Sequence, residues 1–150
     1  MSPLATLDQL FSDMPPVSAM QIRATGFDDE VLHLQAPLAA NVNDKQCAFG
    51  GSLASLMTLA GWGWLMLKLR EAGLQADVYV ADSSIRYLAP LYDDLRGEAR
   101  LADGQDWPAV LRCLGERKRA RVSMRSSVRN AHGEAVATLE ARCALKQAIS

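Results

Sequence analysis

The pattern of hydrophobic and polar positions is dominated by one long stretch without a polar face, from Gly50 to Glu71. A helix on a protein surface carries an apolar stripe on one side only. Because leucine, methionine, tryptophan and alanine leave no polar side here, we expect a helix that protein surrounds on most sides. Its uncharged part, Leu53 to Leu67, is shorter than the ~20 residues of a membrane span. The pattern therefore predicts a buried helix that ends at Gly73.

Before and after this helix, apolar and polar residues alternate with the period of two that is typical of β-strands. The alternation predicts six strands, at Met20–Gly26, Val31–Ala36, Asp77–Tyr87, Leu95–Leu101, Arg121–Val128 and Ala135–Leu145. Two more helices are predicted: one begins at Ser2 and stops at Pro15-Pro16, and one runs from Asp106 to Leu114 with Gly115 as its stop. Short turns favour antiparallel pairing. A curved antiparallel sheet around one long central helix is the hot-dog fold, an α+β architecture.

Composition and charge exclude several classes of function. The chain has 150 residues, 49% of them hydrophobic and 22% charged, which predicts a single globular domain over residues 1–150. The net charge of −1, with arginines spaced along strands, argues against a nucleic-acid or membrane partner. Three cysteines without CxxC spacing predict neither a disulfide framework nor a zinc site. Unpaired thiols, and no basic, apolar leader before Asp8, favour the cytoplasm.

A polar loop leads directly into the central helix. It contains Asn43-Asp44-Lys45 and continues into Phe49-Gly50-Gly51-Ser52. The first turn of a helix leaves backbone N–H groups without partners at the positive end of the helix dipole. Glycine lets a ligand or another backbone come close at that point. We interpret Gly51 N–H, together with Gly50 N–H, as donors to an oxyanion; close helix–sheet packing is the alternative reason for the two glycines.

These residues resemble those of hot-dog-fold thioesterases, in particular the family found as the C-terminal domain of YiiD-type proteins. The resemblance covers nearly the whole chain and is sharpest in Asn43-Asp44-Lys45, Ala48–Ser52, Ala60–Gly63 and Ile85–Pro90. It implies hydrolysis of an acyl thioester, with acyl-coenzyme A or acyl-carrier-protein as substrate and no cofactor beyond the coenzyme A of the substrate. It also implies a homodimer or homotetramer with active sites between protomers, and the apolar central helix supports an oligomer.

The chain departs twice from a related pattern. Hot-dog acyl-coenzyme A thioesterases of the phenylacetate-pathway type carry an asparagine, five further residues, and then His-Gly-Gly. Asn43 and Gly50-Gly51 match that spacing, whereas Phe49 replaces the histidine and Thr58 replaces a carboxylate on the helix. These departures leave the general base open. A non-catalytic acyl-coenzyme A-binding or structural module is therefore the alternative function.

The general base is sought among carboxylates near the loop. Asp44 is the only carboxylate within the loop, and Asp82 lies in the middle of a predicted strand. A carboxylate with a raised pKa beside an apolar groove suits general-base catalysis. The alternatives are an Asx-turn or a cap for Asp44, and a solvent-facing position at a β-bulge or a structural hydrogen bond for Asp82. Asn43 and Thr58 are candidates for orienting water or substrate.

Other polar residues are assigned to substrate binding or set aside. We predict substrate contacts from Gly50, Phe49, Ser52, Ser83 and Arg86, the last as a partner for coenzyme A phosphates. A serine nucleophile is disfavoured because Ser52 lacks the G-x-S-x-G elbow. A cysteine nucleophile is disfavoured because Cys47 has no identified histidine. The sequence therefore favours attack by water, without a metal ion.

Overall fold

Six strands and four α-helices make up the structure, a computed structural model that describes residues 1–148. In chain order they are α1 (Pro3–Ser12), α2 (Pro15–Ser18), β1 (Arg23–Asp28), β2 (Val31–Ala36), α3 (Gly50–Glu71), β3 (Ala76–Tyr87), β4 (Leu95–Leu101), α4 (Trp107–Arg117), β5 (Arg119–Arg129) and β6 (Ala135–Gln147). A short 3-10 turn, Leu38–Ala40, follows β2. Within the described residues, no helix combines the length and the apolar character needed to cross a membrane.

All six strands belong to one antiparallel sheet in the order β1-β2-β4-β5-β6-β3. The strand that follows α3 in the chain, β3, therefore lies at an edge, beside the last strand β6. The sheet curves around α3, which confirms the predicted hot-dog architecture. This topology places the end of β3 beside the start of α3, and the candidate active site is built there.

The central helix forms the middle of the core. The side chains of Leu56, Met57, Trp64 and Leu65 on α3 are fully buried, and each such residue contributes about 1.5–3 kcal/mol through burial of its apolar surface. Close packing also depends on Gly63, where a Cβ atom would lie 3.0 Å from side-chain atoms on α1 and on β2. The predicted burial of this helix is therefore confirmed.

The bounds of α3 agree with the sequence. The helix runs from Gly50 to Glu71, and Gly73 follows with a φ of 73°. The N–H of Leu74 donates to the carbonyl of Leu69 at 2.9 Å, and the N–H of Gly73 donates to Arg70 at 3.0 Å. These bonds satisfy carbonyls at the end of the helix, as expected for a left-handed glycine stop.

Two predicted boundaries are wrong because the backbone conformation of a single residue decides them. Gly115 does not end α4, because a glycine inside a helix costs only about 1 kcal/mol and the left-handed residue is Lys118, with a φ of 62°. The first strand begins at Arg23 rather than Met20. The preceding residues form a turn, since Gln21 has a φ of 57° and its N–H donates to Ser18.

Candidate active site

The polar loop before α3 is tied to the rest of the protein by its backbone. The N–H of Phe49 donates to the carbonyl of Asn41 at 2.7 Å, and the N–H of Ala48 donates to Leu91 at 2.8 Å. The buried amide of Asn41 donates to the carbonyls of Met20 and Pro37 at 3.0 and 2.8 Å. The start of the helix is thus held in place from two sides.

The first turn of α3 presents two free donors. Phe49 is the N-cap residue, and its carbonyl accepts from the N–H groups of Ser52 and Leu53, both at 3.0 Å. A phenylalanine side chain cannot cap the helix. Among residues 1–148, the N–H groups of Gly50 and Gly51 have no protein acceptor. Two adjacent N–H groups at the positive end of the helix dipole are therefore available to an anionic oxygen.

Two aromatic rings flank these donors. The ring of Phe49 lies against Gly51, where a Cβ atom would come within 2.5 Å of Cε2. The ring of Tyr87 lies beside Gly50, with 3.6 Å between the Cβ position and the nearest ring atom, and its hydroxyl donates to the Gly50 carbonyl at 3.1 Å. The two aromatic residues are 55% and 56% exposed. Sterically, Gly51 is restricted by Phe49, whereas Gly50 has room for a methyl group.

An apolar cleft of about 350 Å³ adjoins the same turn of the helix. Gly50 lies in its wall, and the other lining residues are apolar or aromatic: Ala48, Leu53, Tyr87, Leu88, Ala89, Pro90 and Leu91. The cleft is shallow and borders solvent. A hydrophobic group bound there would lie beside the unpartnered N–H of Gly50.

The side chain of Asn43 is used within the loop. Its Oδ1 accepts from the N–H of Lys45 at 2.8 Å and from the N–H of Cys47 at 3.2 Å, while its Nδ2 lies 3.3 Å from the buried thiol of Cys47. This is the geometry of an Asx-turn. The described contacts of Asn43 therefore fix the loop that carries the helix start.

Neither of the two candidate bases accepts a hydrogen bond from the free N–H groups. The side chain of Asp44 is 82% exposed and pairs with Lys45 at 3.2 Å. Asp82 follows a β-bulge on the outer side of the sheet and forms a bidentate pair with Arg142, with 2.7 Å between Nε and Oδ1. The hydrogen bond from Arg142 holds the pKa of Asp82 below its usual value, although desolvation raises it. Tyr87 lies five residues after Asp82 on β3, which is about 17 Å along the strand.

The remaining predicted residues are distributed along α3 and β3. Ser52 is buried in the first turn of the helix, and half-buried Thr58 lies about 9 Å further along its axis. Ser83 and Arg86 are exposed on β3, and Arg86 has no carboxylate partner within residues 1–148. The structure thus brings Phe49, Gly50, Gly51 and Ser52 together, but neither Asp44, Asp82 nor Thr58 contacts the free donors.

Tyr87 was missed as a site residue by reasoning from the sequence. It lies 37 residues from Gly50, its hydrogen-bond acceptor. It belongs to the Ile85–Pro90 segment that resembles thioesterases, yet an aromatic residue at the end of a strand carries no local signal of a tertiary contact. Only the pairing of β3 with β6 brings it to the helix start.

Comparison with known proteins finds a family whose sequences and structures are similar to this chain. A family model described as "Putative thioesterase (yiiD_Cterm)" matches residues 4–143. The crystal structure of a "putative thioesterase" from Shewanella oneidensis is 31% identical in sequence, covers 96% of each chain, and superposes with a TM-score of 0.85.

Two further structures are similar. A protein of unknown function from Chlorobaculum tepidum is 27% identical over 96% of this chain and 94% of that one, with a TM-score of 0.89. A thioesterase from Haemophilus influenzae is 16% identical, covering all of this chain and 94% of the other, with a TM-score of 0.75. At that identity the likeness supports the fold alone.

Proposed function

The chain belongs to this thioesterase family, and from that premise we propose that it hydrolyses an acyl thioester whose leaving thiol is coenzyme A or acyl-carrier-protein. The observation that carries the proposal is the pair of unpartnered N–H groups of Gly50 and Gly51 beside an apolar cleft. A thioester needs such donors for its carbonyl oxygen and an apolar surface for its acyl group.

In the proposed reaction, a water oxygen attacks the thioester carbonyl carbon while a base takes one of its protons. The carbonyl oxygen becomes an oxyanion that accepts hydrogen bonds from Gly51 N–H and Gly50 N–H. The carbon–sulfur bond then breaks, the protonated base returns its proton to the leaving thiolate, and the carboxylic acid is released. Loss of one oxyanion donor in an enzyme typically raises the barrier by about 2.7–4 kcal/mol.

The general base is proposed to be Asp44 or Asp82. Asp44 belongs to the loop that carries the helix start, and Lys45 is the single partner of its exposed side chain among residues 1–148. Asp82 is held by Arg142 and lies about 17 Å along the strand from Tyr87. It would therefore act at the helix start of a second copy, which makes Asp44 the simpler proposal. Asn43 and Thr58 would orient the water or the substrate indirectly.

Substrate binding is proposed to use the surfaces next to the donors. The exposed ring of Phe49 would contact the acyl thioester at Gly51, and Ser52 would complete the first turn. Arg86 and Ser83, exposed on the neighbouring strand, would meet the phosphates and the pantetheine arm. The reaction needs neither a metal ion nor a cofactor beyond the coenzyme A of the substrate.

We also propose a homodimer, or a pair of dimers, formed through the edge of β3. This strand has 12 residues and its outer edge is unpaired within residues 1–148. The side chains of Tyr79 and Val80 are exposed there. A long edge strand with exposed apolar residues is a site for pairing with another chain. Three free cysteines fit a cytoplasmic location.

The test is release of free thiol by the purified protein from acetyl-, octanoyl-, palmitoyl- and phenylacetyl-coenzyme A, and from an acyl-carrier-protein loaded with octanoate. We expect release from at least one apolar acyl thioester. Binding of these compounds without thiol release would instead support the alternative, a non-catalytic acyl-coenzyme A-binding module. That alternative is favoured by Phe49, which replaces the histidine of related enzymes, and by the absence of a contact between Asp44 and the helix start.

A further inference from the structure

The Gly50 carbonyl and the Gly51 N–H belong to the same planar peptide unit. The hydroxyl of Tyr87 donates to that carbonyl at 3.1 Å. We propose that Tyr87 is a positioning residue, which orients the Gly50–Gly51 peptide and strengthens Gly51 N–H as the oxyanion donor. The inference rests on the proposed thioesterase function and gives Tyr87 a role in the reaction beyond its place in the wall of the cleft.

The peptide needs an external restraint because its own sequence supplies little. Two consecutive glycines have more backbone freedom than any other pair of residues. The N-cap Phe49 provides no side-chain hydrogen bond, and the N–H groups of Gly50 and Gly51 have no protein partner among residues 1–148. Within the helix this peptide is held only at its Gly50 carbonyl, so the Gly51 N–H has no hydrogen bond that restrains its own end.

Tyr87 is suited to supply this restraint because its own backbone is rigidly held. It is the last residue of β3 and pairs with Ala137 on β6. The next residue, Leu88, donates its N–H to Val136 at 2.8 Å. The sheet thus anchors the phenol, and the phenol anchors the peptide of the helix.

The same hydrogen bond also affects the strength of the donor. A hydrogen bond to an amide oxygen polarises the whole peptide unit, so the N–H at its other end becomes a better donor. A carbonyl oxygen has two lone pairs, so Gly50 can accept from Tyr87 without losing its helical hydrogen bond. The contribution acts on the charge that develops in the transition state and therefore on kcat more than on KM.

The decisive variant is Tyr87→Phe, which keeps the ring beside Gly50 and removes only the hydroxyl. We expect kcat to fall about three- to tenfold, with KM changed less than about twofold. The melting temperature should stay close to that of the wild type, because the side chain is more than half exposed. The matched control is Tyr92→Phe, since Tyr92 is 66% exposed and its hydroxyl makes no hydrogen bond within residues 1–148.

An NMR measurement tests the positioning without relying on activity. In Tyr87→Phe, the ¹⁵N resonance of the Gly51 amide should shift, because its peptide carbonyl loses a hydrogen bond. The Gly51 resonance should stay in place in Tyr92→Phe. An unchanged Gly51 resonance in Tyr87→Phe would overturn the inference.

The kinetic outcomes separate the inference from the proposed function. A raised KM with unchanged kcat would make Tyr87 a substrate contact and refute a positioning role. Equal kinetics for Tyr87→Phe and Tyr92→Phe would refute it as well. If the wild-type protein releases no thiol from any substrate, the proposed function fails, and the Gly51 resonance alone then decides whether Tyr87 orients the peptide.

Discussion

Substitution by alanine should have different effects at Gly50 and Gly51, although the two positions look equivalent in the sequence. At Gly50 the new methyl group would lie 3.6 Å from the nearest atom of Tyr87, an ordinary contact. At Gly51 it would lie 2.5 Å from Cε2 and 2.9 Å from Cζ of Phe49. The optimal carbon–carbon separation is about 3.5–4.0 Å, so the ring must move by about 1 Å.

The expected magnitudes follow from backbone entropy and side-chain strain. Neither glycine has a positive φ, so alanine fits the backbone at both positions and should add about 0.5–1 kcal/mol of stability. At Gly51 this gain is offset by about 0.5–1.5 kcal/mol if Phe49 leaves its preferred rotamer. Gly51→Ala should therefore be about 1 kcal/mol less stable than Gly50→Ala, or about 2–4 °C lower in melting temperature.

Denaturation by urea measures the difference in stability, and thiol release measures its effect on function. The double variant Phe49→Ala/Gly51→Ala removes the clash. Its free energy of unfolding should therefore be about 0.5 kcal/mol or more above the value expected if the two single changes were additive. The displaced ring should also lower kcat/KM in Gly51→Ala by about tenfold relative to Gly50→Ala. Equal stability of the two alanine variants, with additive energies in the double variant, would refute the contact between Phe49 and Gly51.

Three further predictions address the base, the core and the pH dependence of stability. Asp44→Asn should lower kcat about 10²-fold or more while leaving the melting temperature unchanged, and Asp82→Asn should do so instead if a second copy supplies the base; unchanged rates for both would reject the two carboxylates. Ser126 is 1% exposed and its hydroxyl has no partner among residues 1–148, so Ser126→Ala should be neutral or should stabilise the protein by about 1 kcal/mol in urea denaturation; a clear loss would reveal an unseen hydrogen bond. Burial raises the pKa of Glu98, but its hydrogen bond and ion pair with Arg129 outweigh this and leave the pKa below its usual value. The ionised Glu98 therefore stabilises the folded protein above about pH 4.3, and this stabilisation is lost as the pH falls through the lowered pKa. In Glu98→Gln, the free energy of unfolding should consequently decrease less between about pH 4.3 and lower pH than in the wild type.

The sequence by itself determined the elements that depend on local periodicity. The bounds of α3, β2 and β4 follow from the spacing of apolar residues, and the glycine stop at Gly73 follows from backbone freedom. One helix without a polar face, among strands of alternating polarity, was sufficient to predict the hot-dog fold. The boundary errors at Gln21 and Gly115 arose where a single residue's backbone conformation, rather than a periodic pattern, decides the outcome.

The glycine pair was also found from the sequence, because a helix start leaves free N–H groups wherever no side chain caps it. The residues that surround the glycine pair were not predicted. Tyr87 meets Gly50 across 37 residues, and Asp82 meets Arg142 across 60. These contacts exist because β3 crosses to the edge beside β6, a long-range pairing that no local pattern encodes. The tertiary structure therefore decided which side chains surround the two N–H groups, and that Asp82 is paired far from them.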